Sequence, residues 1–247
     1  MLVIVGMSVA QRRPLVPQAR DIKPICILSL FQTIGQYFFF YLGLSRASAM
    51  SSSIIEASAN FLAILFAALA FRTEKLDAAK VLGCVLGFAG VALVNLSGAG
   101  GTFGFALDGE GFILASTVAG ALSTCLIGIF SRKHDGVLLA GWQFLVGGLV
   151  LTAIGFLMGG ALSPTAIAPA IALIIYMALI SAVAYSLWSR LLAVSRVSVF
   201  GFMNPVFGVL LSALLLGEGA GTSPVTVIVA LLLVCGGIII VNKPKKA

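Results

Sequence analysis

Apolar residues run along the chain in stretches of about twenty, the length a helix needs to cross a hydrocarbon layer about 30 Å thick. Short polar connectors separate them and hold nearly all of the charge. The pattern predicts eight complete spans: Pro24–Leu44, Ser51–Phe71, Ala78–Leu96, Gly109–Phe130, Gly136–Met158, Ile167–Trp188, Ser195–Gly217 and Thr222–Val241. Backbone polar groups in hydrocarbon must be bonded within their own segment, so runs this long and rich in Leu, Ala, Gly and Ile predict helices rather than barrel strands. Met1–Ala10 is apolar over roughly half the crossing length and reads as the tail of one further, partial span. A signal peptide is not indicated there, because a basic start and a small-residue cleavage site are both missing.

Polar positions within the spans repeat. Tyr41, Ser45, Arg46, Asn60 and Glu74 recur at a constant offset of 144 residues as Tyr185, Ser189, Arg190, Asn204 and Glu218. Self-similarity at one offset is the mark of a duplicated packing unit. The second copy, 109–243, holds five spans; the first, 1–98, holds three and the partial one. Equivalent spans lie an odd number of crossings apart, so the copies enter the membrane from opposite sides. The expected fold is an all-α integral membrane protein, an inverted repeat of five-helix units with the first unit truncated at its start. Such repeats are a recurring construction of secondary transporters, with the site near the midplane between the halves. At about 1.5 Å per residue, Asn60 and Asn204 both come to lie roughly 13 Å from the face at which their helix enters.

Composition agrees. Hydrophobic residues make up 60% of the 247 and charged residues 9%, and the mean hydropathy is +1.16, which excludes an ordinary soluble domain. A net charge of +7 would point to nucleic acid in a soluble protein, but here its distribution decides. If the spans alternate, every Lys and Arg except Arg46 falls on one side. The positive-inside rule makes that side cytoplasmic and puts the C-terminus, with Lys243, Lys245 and Lys246, inside. Cys26, Cys84, Cys125 and Cys235 sit singly in apolar spans and read as small core residues. His134, between Lys133 and Asp135, reads as solvated. No metal motif, phosphate loop or nucleophile elbow occurs, so neither cofactor nor enzymatic machinery is expected.

Glu56 is the acidic residue well inside a span, where ionisable groups are costly and are functional candidates by default. It is either a proton-coupling carboxyl or one that reaches water from about 8 Å below the surface. Ser52, Glu56 and Asn60 share one helical stripe, as do Ser181, Tyr185 and Ser189, with Trp188 alongside. Each stripe either bonds helices together or meets a solute. Gln32, Gln36, Tyr37 and Tyr41 add amides and phenols to one span, and Trp142 and Gln143 an indole and an amide to another. Walls of this kind suit a small organic solute, although Tyr41, Trp142 and Trp188 also fit an interfacial belt. Pro205 removes a mid-helix donor and predicts a kink or a hinge. Gly83 with Gly87, and Gly155 with Gly159, are spaced for close helix approach. Glu74 and Glu218 precede helix N-termini, which favour a carboxylate.

Asn204-Pro205, then Leu214-Leu215-Leu216-Gly217-Glu218, then Gly236-Gly237, with the echo Asn60-Phe61, Glu74 and Leu82-Gly83 in the first copy, resemble the EamA-type family of the drug/metabolite transporter superfamily. Phe61 stands in the place of Pro205, and the first span and a half of the family's ten helices is missing. The resemblance implies a carrier of the bacterial inner (plasma) membrane, moving a small organic metabolite or drug-like solute outward by alternating access. Its partners are then the solute and the lipid bilayer, with no nucleic acid. Gln36, Tyr41, Asn60, Gln143, Tyr185, Trp188 and Asn204 would line the cavity, Glu56 would couple protons and Pro205 would be the hinge. Two other readings are a truncated, non-transporting fragment and a membrane enzyme acting on a lipid-linked substrate. For the latter, Arg190 and Arg196 lack a nearby carboxylate. Oligomeric state is not written in the pattern.

Overall fold

The computed structural model describes residues 16–73, 76–96, 106–160, 171–180, 206–211 and 223–241. The stub 1–10, Glu74, Tyr185, Trp188, Asn204, Pro205 and Glu218 lie outside the described residues, as do most of the spans expected at 167–188 and 195–217. All regular structure among the described residues is helical. Helices α1 (Ala19–Leu44), α2 (Ala49–Ala70), α4 (Glu110–Phe130) and α5 (Gly136–Leu157) are long and apolar enough to cross a membrane. Helix α3 (Ala78–Leu96) lies between them in sequence. The described part of α6 is Ile171–Ile180, and α7 (Pro224–Val241) closes the chain, after a helical stretch at 206–211. Helix α1 starts more than one turn before Pro24, the expected start, because Asp21 Oδ2 accepts the Gln18 N–H (2.9 Å) and caps an earlier first turn.

Two of the helices are not regular throughout. In α1 the stretch Ser29–Gly35 is π-helical, and α2 ends in a π-helical turn, Phe66–Ala70. Helix α2 also tightens at Ser58, between Ala49–Ala57 and Ala59–Leu65.

The chain divides into two compact units, Met1–Ile34 with Leu126–Arg196, and Gly35–Cys125 with Val197–Ala247. In the first unit, Ile25 and Leu28 of α1 pack on Leu139 of α5, flanked by Leu126, Ile127, Phe130, Trp142 and Val146. The α1–α5 contact is then carried by hydrogen bonds. The Ser29 hydroxyl lies 2.7 Å from the Ile25 carbonyl and 3.2 Å from that of Gln143, and Thr33 Oγ1 lies 3.4 Å from the same Gln143 carbonyl. Gly147, one turn further along α5, leaves room for Thr33, since a Cβ there would overlap the Thr33 side chain.

Close packing of backbone organises the second unit. Helices α3 and α7 lie against each other with Gly83, Gly90 and Gly237 in the seam; a Cβ on Gly90 would come 2.8 Å from the Ala230 carbonyl. Lipid tails offer helices no hydrophobic driving force for association, so small residues that admit the neighbouring backbone supply the contact. Phe61 of α2 is completely buried and fills the space left by Gly87. Around it gather Met50, Ile54, Ala57, Cys84, Val209, Val227, Ala230, Val234, Ile238 and Val241.

The two glycine pairs expected to pack therefore part company. Gly83 and Gly87 are both in contact, whereas a Cβ on Gly155 would meet nothing within 4 Å. Gly159 instead has φ +84° just past the end of α5, the left-handed conformation with which helices often stop. Cys26, expected in the core, is exposed on α1; Cys84 is buried as expected.

Replacing Gly87 by Leu should lower the stability of the detergent-purified protein by about 1–3 kcal/mol through overpacking against Phe61. Gly128→Leu, at an exposed position with nothing within 4 Å, should leave the unfolding midpoint nearly unchanged.

Candidate functional site

Hydroxyl and amide side chains inside the spans mostly satisfy themselves on their own helix. Ser53 Oγ donates to the Ala49 carbonyl (2.8 Å), Thr117 Oγ1 to Ile113 (2.7 Å) and Thr124 Oγ1 to Gly120 (2.9 Å). Three buried side-chain atoms have no hydrogen-bond partner among the described residues: Ser52 Oγ, Ser116 Oγ and Gln143 Oε1. An unsatisfied polar atom in a low-dielectric interior costs about 1–3 kcal/mol, so these atoms show where a polar guest would be welcome.

Ser52 lies one turn before Glu56 on the first half of α2. Glu56 is partly exposed, and forms no hydrogen bond or ion pair among the described residues. Two residues later α2 tightens for one residue, the Ser58 N–H bonding the Ile55 carbonyl three residues back, while the chain stays right-handed helical. Ser58 takes φ −65° and ψ −14°, its hydroxyl donates to the Ile55 carbonyl (2.6 Å), and Asn60 Nδ2 reaches the Ala57 carbonyl at 3.4 Å. These side chains occupy carbonyls at the tight turn. The proposed stripe of Ser52, Glu56 and Asn60 thus spans this tight turn, with Asn60 just beyond it. No proline is needed: Phe61, in the place where the repeat has Pro205, is a packing residue instead.

Helix α4 contributes a polar face that sequence reasoning missed. Ser116, Gly120 and Ser123 recur at helical spacing, and both serines are buried. Gly120 makes room for the Gln36 amide, whose Cδ would be 3.1 Å from a Cβ there. The signal was a run of small polar residues, easily taken for generic small-residue packing. Tyr41 is 53% exposed and stacks on Tyr37 with ring centroids 6.2 Å apart. Gln36, Tyr41, Glu56 and Asn60 thus all belong to the second unit.

Gln143 belongs to the first. Its Nε2 donates to Gln32 Oε1 at 2.6 Å, and the two amides are 2% and 6% exposed. The π-helical stretch of α1 holds Ser29, Gln32 and Thr33, and all three face the same residue of α5. Neighbouring Trp142 packs with the apolar cluster.

The ends of the spans also correct one expectation. His134 is not solvated: its side chain is 13% exposed and its Nδ1 lies 2.6 Å from Asp21 Oδ1. Phe130 meets the imidazole edge-on, with centroids 6.5 Å apart. Arg46, alone on its predicted side, pairs with Asp108 at 3.5 Å in an exposed contact. No group of acidic, His and Cys side chains suited to a metal ion occurs among the described residues.

Apolar helices of crossing length, with buried amides and a carboxyl beside a tight helical turn, define a multi-pass membrane protein. The chain belongs to the EamA-like transporter family, whose model matches residues 1–96 and 107–243. It is 26% identical over 228 residues to a WAT1-related chloroplastic protein of Arabidopsis thaliana, covering 88% of this chain and 54% of that protein. It is 27% identical over 178 residues to the uncharacterized transporter YvbV of Bacillus subtilis, covering 70% of this chain and 57% of that one. The chain spans little more than half the length of these relatives. A solved crystal structure shares the fold with a TM-score of 0.63 at 22% identity, over 97% of this chain and 82% of its own. The family and the Bacillus relative are both named for transport.

The Gln32–Gln143 pair can be weighed by a double-mutant cycle in a denaturant titration of the purified protein. Gln32→Leu and Gln143→Leu should each cost about 1–2 kcal/mol. The double variant should lose less than the sum, because no amide is then left without a partner.

Proposed function

We propose that the protein is a secondary transporter that moves a small organic metabolite or drug-like solute across a bacterial inner membrane, outward, by alternating access between two inverted halves, 1–98 and 109–243. The carrying observation is the tight turn of α2 at Ser58, beside the Glu56 carboxyl and the Ser52 hydroxyl, neither of which has a hydrogen-bond partner among the described residues. Ionisable and polar side chains inside a span are functional candidates by default, because lipid offers them no partner. Membership of a family named for transport supports the same reading.

In this reading Glu56 takes up and releases the coupling proton. Gln36, Asn60 and Gln143 contact the solute together with Tyr41, Tyr185, Trp188 and Asn204, and Pro205 provides the hinge in the second half. Gln143 has a specific reason to be among them, since its buried Oε1 awaits a donor. The basic connectors and the C-terminus face the cytoplasm, in keeping with the positive-inside rule.

The test is uptake into proteoliposomes of a broad metabolite mixture, with and without an imposed proton gradient. The wild-type protein should accumulate at least one solute in a gradient-dependent manner. Glu56→Gln, which keeps shape and removes the titrating group, should abolish the pH dependence of that uptake. An unchanged pH profile in this variant rejects Glu56 as the coupling site.

A further inference from the structure

Helices α1 and α5 both begin at one end of the first unit, and α4 ends there. The 2.6 Å contact between Asp21 of α1 and His134 of the α4–α5 turn ties these segments together. Four cations flank that contact: Arg20 and Lys23 on the α1 side, Arg132 and Lys133 on the turn. All four are exposed, and none forms an ion pair among the described residues.

Both nearby carboxylates are committed elsewhere. Asp21 is 4% exposed and gives one oxygen to His134 and the other to the Gln18 N–H. Asp135 caps α5, with Oδ1 2.9 Å from the Val137 nitrogen and 3.4 Å from that of Leu138. The four cations still outnumber these two carboxylates, and the positive N-terminal ends of α1 and α5 outnumber the one negative C-terminal end of α4.

An apolar track leads away from this charge. Ile22, Cys26 and Leu30 follow one another at successive turns of α1 and are exposed, Ile22 and Leu30 each to 55%. From the basic end, the track runs into the depth of the span. Cations at the surface with an apolar stripe below them match a phosphate carrying acyl chains, and not a free ion.

We infer that this end of the first unit binds an anionic phospholipid, its phosphate held between Arg20 and Lys23 on one side and Arg132 and Lys133 on the other, with an acyl chain along Ile22, Cys26 and Leu30. Basic pockets between membrane helices are a known form of headgroup recognition. The buried Asp21–His134 contact positions the two cationic pairs and takes no part in binding. The inference depends on membrane embedding and not on the transport reading.

The detergent-purified full chain would be titrated with phosphatidylglycerol and with phosphatidylcholine of the same acyl chains, and bound lipid counted by native mass spectrometry. Phosphatidylglycerol should bind well over about 25-fold more tightly, given about fivefold per cation and four cations. Arg132→Gln/Lys133→Gln and Arg20→Gln/Lys23→Gln should each weaken it by about 25-fold and leave phosphatidylcholine unaffected. Arg20→Lys/Arg132→Lys, which keeps all the charge, should retain the preference and serves as the reading if a neutralised variant fails to fold. Arg72→Gln, an exposed cation of the second unit, should change nothing beyond about twofold.

Equal binding of the two lipids overturns the inference, as does an equal loss in Arg72→Gln, which would mean diffuse surface attraction. Displacement of the lipid by millimolar inorganic phosphate would assign the site to a free anion and overturns it likewise. Failure of solute uptake leaves it standing.

Discussion

Hydrocarbon provides no hydrogen-bond partners, and most of the structure is an answer to that constraint. Backbone groups are satisfied by helices. Hydroxyls are folded back onto their own helices, as at Ser53, Thr117 and Thr124. At the tight turn of α2 the same economy persists, with Ser58 and Asn60 supplying donors to local carbonyls. Against this background, Ser52 Oγ, Ser116 Oγ and Gln143 Oε1, which have no partner among the described residues, stand out as departures.

The two units solve helix association differently. In the second, glycines let α3 and α7 approach until backbone meets backbone, and Phe61 seals the join. In the first, the Ser29 and Thr33 hydroxyls and the Gln32 amide converge on Gln143, alongside the apolar contacts of Ile25 and Leu28. Dispersion dominates one unit and hydrogen bonding the other, and both are routes to stability where burying apolar surface offers little advantage. Both discriminate, the first unit because a buried amide without a partner is costly and the second because an added methyl in the glycine seam would collide with backbone.

Helix positions were legible because length and apolarity alone determine whether a segment crosses; α3 has the expected limits, and α4 and α5 fall within one residue of theirs. The prominence of Gln143 and Glu56 was also readable, since polar groups in spans are rare. What the pattern did not reveal is who meets whom. Asp21 and His134 are 113 residues apart in sequence, and nothing local marks them as partners. Cys26 looked like a core residue because apolar surroundings in a membrane protein describe lipid as well as protein. Gly155 and Gly159 had the spacing for packing but no neighbour to use it. The tight turn at Ser58 was hidden because hydrophobic pattern is blind to a single residue's change in winding. Tyr185 and Asn204 were legible as the repeat partners of Tyr41 and Asn60.

The π-helical turn of α1 has a directional effect. A residue beyond the regular count rotates everything after it by about 100° relative to an unbroken α-helix. Within the first unit Gln32 meets Gln143 of α5, and within the second Gln36 lies against Gly120 of α4. Deleting one position between Ser29 and Gly35 would rewind the helix and swing the whole aromatic half, Tyr37 to Tyr41, to another bearing. A segment so placed works as a phase shifter, allowing one rod to serve two sets of neighbours.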